Sequence, residues 1–333
     1  MSFGLALTAL LSATLTLSLT AAQQYVAIDL APNGGFSFAH AVNNHGQVVG
    51  RTLNRAFLWE NGVMRDLGTL PGGSYSEAFS INDRGQVVGF STIDDATCTL
   101  FDGCWHAFLW EDGTMTDLGG LDPRFQSYAY SINDSGQIAG ISATGDYPTG
   151  TWRAIMWDHG TVVDLGSVPE ATNTYAYGIN ARGDVVGSWD GPQPAQPRIW
   201  SHGSSEALPV AGSSATEAYK INNHGAIVGF GEQSGQAHAV VWADGAITDL
   251  GTLPGAVWSF GRDINDRGQV VGESFFAPQG TTRAFVWQRG TMIDLGTLPG
   301  GANSYAQGIN DAGVIAGASD RGGLLHAVAW VMR

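Results

Sequence analysis

The chain has 333 residues, 47 of them glycine, with 44% hydrophobic and only 14% charged residues. Glycine is present at about twice its usual ~7%, which argues against long helices, since each interior glycine costs a helix about 1 kcal/mol; the apolar fraction argues against disorder. Thirty acidic residues against 15 basic ones give a net charge of −15, and no basic cluster stands ready to neutralise phosphate, so nucleic acid and anionic membrane surfaces are excluded as partners.

Residues 1–22 are rich in Leu, Ala, Ser and Thr, carry no charged side chain and end in Thr20-Ala21-Ala22. This pattern predicts a cleaved secretory signal, although no Lys or Arg precedes the apolar run. The run is short and interrupted for a membrane span, which needs about 20 apolar residues. The expectation is one exported domain over residues 23–333, periplasmic or extracellular, monomeric and without a membrane span.

Seven repeats follow. A tryptophan recurs at Trp59, Trp110, Trp157, Trp200, Trp242, Trp287 and Trp330. Seven residues later comes Asp-Leu-Gly, at Asp66, Asp117, Asp164, Asp249 and Asp294; the fourth repeat has Ala207 there instead. A second marker, Ile-Asn-x-x-Gly or a close variant, is built on Asn43, Asn82, Asn133, Asn180, Asn222, Asn265 and Asn310. Each repeat reads as four short strands joined by tight turns, in which Asn and Asp fit the turn and glycine supplies positive φ. That is the size of a propeller blade.

The predicted fold is all-β: a seven-bladed β-propeller with four antiparallel strands per blade. Tyr25 to Leu30 matches a fourth strand, and the chain ends at a third strand just after Trp330. The N-terminal strand is therefore expected to complete the last blade and close the ring. An open β-solenoid is the alternative.

The motifs His/Arg-Ala-Phe-x-Trp, Gly-x-Met-x-Asp-Leu-Gly-x-Leu-Pro-Gly-Gly and Ile-Asn-Asp-x-Gly-x-Val-Val-Gly resemble the HAF family of bacterial extracellular repeats; His106-Ala107-Phe108 carries the naming triplet. The resemblance covers nearly all of the chain after residue 22. It implies export and repeated β structure, and no established activity. The fourth repeat departs furthest, with Pro197-Arg198-Ile199-Trp200, which puts its strand register in question.

The recurring residues read as scaffold. Asparagines would cap turns, aspartates would accept backbone N–H bonds, and tryptophans would fill the wedge between blades. Cys98 and Cys104 lie six positions apart, and an exported chain permits a disulfide between them; free thiols and a metal site are the alternatives. No metal or other cofactor is expected, calcium being the one ion that recurring aspartates could suit.

Candidate binding residues lie where the repeat is broken or its loops vary. Two positions before each Asn the residue is mostly small, except Lys220 and Asp263 in neighbouring repeats. Arg262 adjoins Asp263, and Glu77 and Glu217 are first-strand carboxylates. Tyr128, Tyr175, Trp258 and Tyr305, with Tyr75 and Phe125, fall toward the face of the long loops around residues 94–106, 144–152 and 276–282. Loops on a rigid scaffold commonly carry binding. No G-x-S-x-G, H-E-x-x-H or Walker loop is present. The sequence thus points to a non-catalytic exported binding or adhesion scaffold with an extracellular protein or a glycan as partner. The rivals are a propeller hydrolase, lyase or lactonase with axial carboxylates, and a lectin-like propeller.

Overall fold

The computed structural model describes residues 25–32, 34–94, 104–145, 150–166, 168–210, 212 and 215–333. The signal segment expected at residues 1–22, Cys98 and parts of two of the variable loops lie outside the described residues. Cys104 is buried at the start of its strand.

Twenty-eight strands among the described residues form seven four-stranded sheets. The first blade runs β2 (Ser37–Val42), β3 (Val48–Thr52), β4 (Arg55–Glu60) and β5 (Val63–Gly68), each strand antiparallel to the one before. Five blades repeat this order. In the seventh, β26 (Ser304–Ile309), β27 (Ile315–Arg321) and β28 (Leu324–Met332) are completed by β1 (Tyr25–Asp29), which pairs antiparallel with β28, Tyr25 opposite Met332 and Asp29 opposite Val328. The predicted closed seven-bladed propeller is the observed fold. No helix of the described residues is long and apolar enough to cross a membrane.

The first strands of successive blades contact one another all the way round: β2, β6 (Ser76–Ile81), β10 (Ser127–Ile132), β14 (Asn173–Ile179), β18 (Glu217–Ile221), β22 (Trp258–Ile264) and β26. They form the inner wall of the ring. Hydrophobic clusters lie between blades: Trp157 packs with Val88 and Ala107 of the preceding blade, and Trp330 with Val271, Ala284 and Val286. Each second strand carries Val-Val-Gly or its equivalent. At Gly50 and Gly89 an added Cβ would overlap the carbonyl oxygens of Phe38 and Glu77 on the first strand, so only glycine permits this approach.

The fourth blade keeps the common register, despite its divergent sequence. Trp200 on β16 (Gln196–Ser201) pairs with Ser205 on β17 (Ser204–Ala207), as Trp59 pairs with Met64.

Candidate functional site

The repeat motifs are accounted for by bonds within and between blades. In each motif the Asn amide oxygen accepts backbone N–H groups of its turn: Asn82 Oδ1 bonds Arg84 at 3.1 Å and Gln86 at 3.0 Å. The amide nitrogen donates across to the next blade. Asn43 donates to the carbonyl of Asn82, Asn82 to Asn133, Asn133 to Asn180, Asn180 to Asn222, Asn222 to Asn265, Asn265 to Asn310, and Asn310 back to Asn43, at 2.9–3.4 Å. These bonds form a closed circuit around the axis.

A second circuit lies one residue further along each motif. Backbone N–H groups of Asn44, Asp83, Ala181, Asn223, Asp266 and Asp311 donate to side-chain oxygens of Asp83, Asp134, Asn223, Asp266, Asp311 and Asn44. It is interrupted between Asp134 and Ala181, because alanine offers no acceptor. Together these residues line the depression where the axis opens on the tight-turn face.

The other repeat markers meet across one blade. His106 bonds Asp117, Arg153 Asp164, His238 Asp249, Arg283 Asp294 and His326 Asp29, at 2.8–3.2 Å. Each of these aspartates except Asp29 also accepts the N–H of the glycine two residues on, as Asp117 does from Gly119 at 2.7 Å; Asp29 accepts that of Ala31. No cluster of three or more His, Cys, Asp or Glu able to hold a metal ion occurs among the described residues.

The candidate residues lie on first strands, stacked in layers along the axis, except Tyr75 and Phe125, which precede β6 and β10. Nearest the asparagine circuit are Lys220 and Asp263. Lys220 Nζ donates to Ser131 Oγ at 3.0 Å, two blades away. It reaches across the blade that presents Gly178, where a side chain would collide with the backbone of Tyr219 and Lys220. Asp263 accepts the N–H groups of Ile264 and Ile309, both at 2.9 Å, which ties blade six to blade seven. Burial pushes the Asp263 carboxyl up to about 6, against the pull of the Lys220 ammonium and these N–H groups. Burial pulls Lys220 down, against the Asp263 charge.

The next layer is an aromatic belt that sequence reading missed. His40 meets Phe79 at 5.3 Å, Phe79 meets Tyr130 at 5.5 Å, Tyr130 meets Tyr177 at 5.6 Å and Tyr177 meets Tyr219 at 5.7 Å between ring centroids. The Arg262 guanidinium then lies 5.3 Å from the Tyr219 ring. The signal was present, since all these residues stand three positions before a repeat asparagine. Arg262 also donates twice to Glu273 Oε1, at 2.8 and 2.5 Å. Glu273, on the second strand of that blade, is a further charged group not anticipated. Burial pushes its carboxyl up against the pull of Arg262, and its other oxygen is buried without a hydrogen-bond partner.

Toward the long-loop end come Glu77, Tyr128, Tyr175, Glu217 and Tyr305. Glu77 bonds His40 Nε2 and the Tyr75 hydroxyl, both at 2.7 Å, and pairs with Arg51 at 3.3 Å. Burial pushes its carboxyl up, but these partners outweigh it and hold Glu77 below its usual range. Burial pushes Glu217 up, against a bond from Tyr219 and the charge of Arg262. Tyr128 stacks parallel on Tyr130 at 6.2 Å, and Tyr175 on Tyr177 at 5.8 Å. The Tyr175 hydroxyl donates to Asp190 at 2.9 Å. Tyr305 meets Phe38 at 6.2 Å. Trp258, at the rim, is 42% exposed and stacks on Phe275 at 4.8 Å.

The structure thus joins Lys220 with Asp263, and Arg262 with the surroundings of Glu217. It leaves Glu77 in a separate network, three blades away from the blade of Glu217.

No family model matches the sequence, and no curated protein sequence matches it. Solved structures are similar in fold. The extracellular domain described as part of a hybrid two component system of B. thetaiotaomicron matches with a TM-score of 0.57 at 9% identity, over 92% of this chain and 39% of that one. YCF48 bound to D1 peptide matches with a TM-score of 0.52 at 14% identity, over 93% and 95%. The acylaminoacyl peptidase of Pyrococcus horikoshii matches with a TM-score of 0.50 at 12% identity, over 84% and 50%. The chain spans half the length of the peptidase and about two fifths of the B. thetaiotaomicron domain. At these identities the likeness is one of fold, and the fold shared is the propeller.

Proposed function

We propose that the protein is an exported, HAF-type propeller that works as a non-catalytic binding scaffold, with its ligand received at the long-loop end of the axis. One observation carries this reading. The axial carboxylates are held by cations, hydroxyls or backbone N–H groups, Glu217 by the Tyr219 hydroxyl and the nearby Arg262 charge, while aromatic rings line the wall between them. General acid–base or nucleophilic catalysis needs a positioned group in reach of the reacting atoms. Glu77 has three side-chain partners, Asp263 has two backbone donors and a nearby ammonium, and Glu273 is clamped by Arg262. Propeller folds host both enzymes and binders, so fold alone does not choose.

The test compares a hydrolase panel with a binding screen on the secreted protein. The scaffold reading expects no turnover of ester, lactone, peptide or glycoside substrates above that of a Glu217→Gln variant. It also expects the melting temperature to rise with a bound ligand, as mass action requires. Turnover lost in Glu217→Gln would replace it with the hydrolase reading.

A further inference from the structure

We infer that the long-loop half of the axis is a carbohydrate site, in which a neutral pyranose stands against the aromatic belt with its hydroxyls toward the opposite, polar arc. This rests on the reading of the axis as a binding site and names its ligand class.

The belt is one-sided. Phe79, Tyr130, Tyr177 and Tyr219 follow one another over blades two to five. At the same level blades six, seven and one present Arg262, Gln307 and His40. All seven are half-buried on the inner strands, as side chains facing an axial space must be. Binding sites commonly pair an apolar wall with a few orienting polar groups.

The Tyr128 and Tyr130 hydroxyls make no hydrogen bond among the described residues. Burial pushes Tyr128 up to about 12 and raises Tyr130 as well, so both stay neutral donors across the working pH range. Two half-buried hydroxyl donors left open beside stacked rings suit a ligand that combines an apolar face with polar edges. A pyranose ring does so: its axial C–H groups pack on aromatic faces, and its equatorial hydroxyls reach outward.

Other ligand chemistries fit less well. An acyl chain would leave Gln307 and the Tyr128 and Tyr130 hydroxyls against hydrocarbon, at a cost for each desolvated polar group. A phosphorylated ligand would face Glu77, Glu217 and Asp190 on a chain of net charge −15. Entry is from the long-loop end, because Lys220 spans the inner level on its way to Ser131. At that end Trp258 stands exposed, backed by Phe275, as an outer platform for a second sugar.

The experiment titrates the full secreted chain with maltohexaose, cellohexaose, xylohexaose and chitohexaose by calorimetry, and in parallel screens a random peptide library for binders. Variants are Tyr130→Ala, the milder Tyr130→Phe, Trp258→Ala, and Asp244→Asn in an exposed turn on the opposite face. The expected result is binding of at least one hexasaccharide, weakened tenfold or more by Tyr130→Ala and several-fold by Tyr130→Phe and Trp258→Ala, and unchanged in Asp244→Asn. If Tyr130→Ala does not fold, Tyr130→Phe and Trp258→Ala carry the comparison. Sugar binding indifferent to these aromatic variants would overturn the site. A peptide whose binding depends on Tyr130, with no sugar bound, would overturn the ligand class and leave the axial binding reading standing. No binding of either kind would overturn both.

Discussion

Asn82 shows how much one side chain contributes to the ring. Its Oδ1 accepts two backbone N–H groups of its own turn, and its Nδ2 donates to Gln86 Oε1 and to the carbonyl of Asn133 in the next blade. Buried polar groups left without a partner cost about 1–3 kcal/mol each. Asn82→Ala is therefore expected to lower unfolding stability by about 2–6 kcal/mol, the summed order of two such losses, as read from urea denaturation. Asn82→Asp keeps the acceptor but sets a carboxylate oxygen against a carbonyl, so it should destabilise as well; an unchanged midpoint in both variants refutes the circuit as a stabilising element.

Two axial carboxylates should give opposite pH dependences. Asp263 titrates near 6 in the folded chain, above its ordinary value of 3.8. Between those values the folded state holds more protons than the unfolded one, so this group makes stability fall as pH rises through the window. Glu77 is held below its ordinary 4.5; its contribution is complete above that value and is lost as pH falls through the folded one. Thermal melts from pH 3 to 7 should show Asp263→Asn removing a decline between pH 4 and 6, and Glu77→Gln removing a loss below pH 4.5. Curves parallel to wild type in both variants would contradict these assignments.

At the scale of an element, the fourth blade shows why its third strand can carry a proline. Proline is normally confined to edge strands because it cannot donate to the ladder, yet β16 lies between β15 (Val185–Asp190) and β17. In the other blades the equivalent residue is alanine, and its N–H does not serve the sheet. It donates to a hydroxyl of the following blade, as Ala107 does to Ser127 and Ala239 to Ser259, at 2.9 and 2.8 Å. Pro197 removes that donor without breaking a ladder bond, and the cost falls on Thr216, whose hydroxyl is buried without a partner. Thr216→Val should accordingly be neutral or slightly stabilising. Ser259→Ala, which strands the Ala239 N–H and a carbonyl bond to Gly251, should cost about 1–3 kcal/mol. Denaturant midpoints of the pair make the check, and equal losses in both would refute the explanation.

At the scale of the molecule, closure depends on β1. Without it, β28 would be an edge strand of nine residues with unpaired N–H and C=O groups, open to pairing with another chain. Tyr25 and Leu30 are also buried against the last and first blades, and each such side chain contributes about 1.5–3 kcal/mol. Removing residues through Leu30 should lower the melting temperature and produce concentration-dependent association in light scattering. A monomer that melts like the intact protein would show that the ring does not need this strand.

The period, the strand count and the closure are all legible in the amino-acid order, because each is written in local spacing. Trp and Asn recur at blade length, and the first strand-like segment carries the pattern of a fourth strand. That order also marked Lys220 and Asp263, which break an otherwise small-residue position, and it marked Glu77, Glu217 and Arg262 as axial charges. Who meets whom across blades follows from the folded ring alone. The asparagine circuit joins residues 39 to 51 positions apart, with a closing bond between Asn310 and Asn43, separated by 267. The aromatic belt likewise sets one residue from each of five blades ring to ring. The repeat position of each partner is legible in the sequence, but their meeting is not, since it arises only when seven similar strands are brought around one axis. That placement gave the axis its aromatic wall and its polar arc.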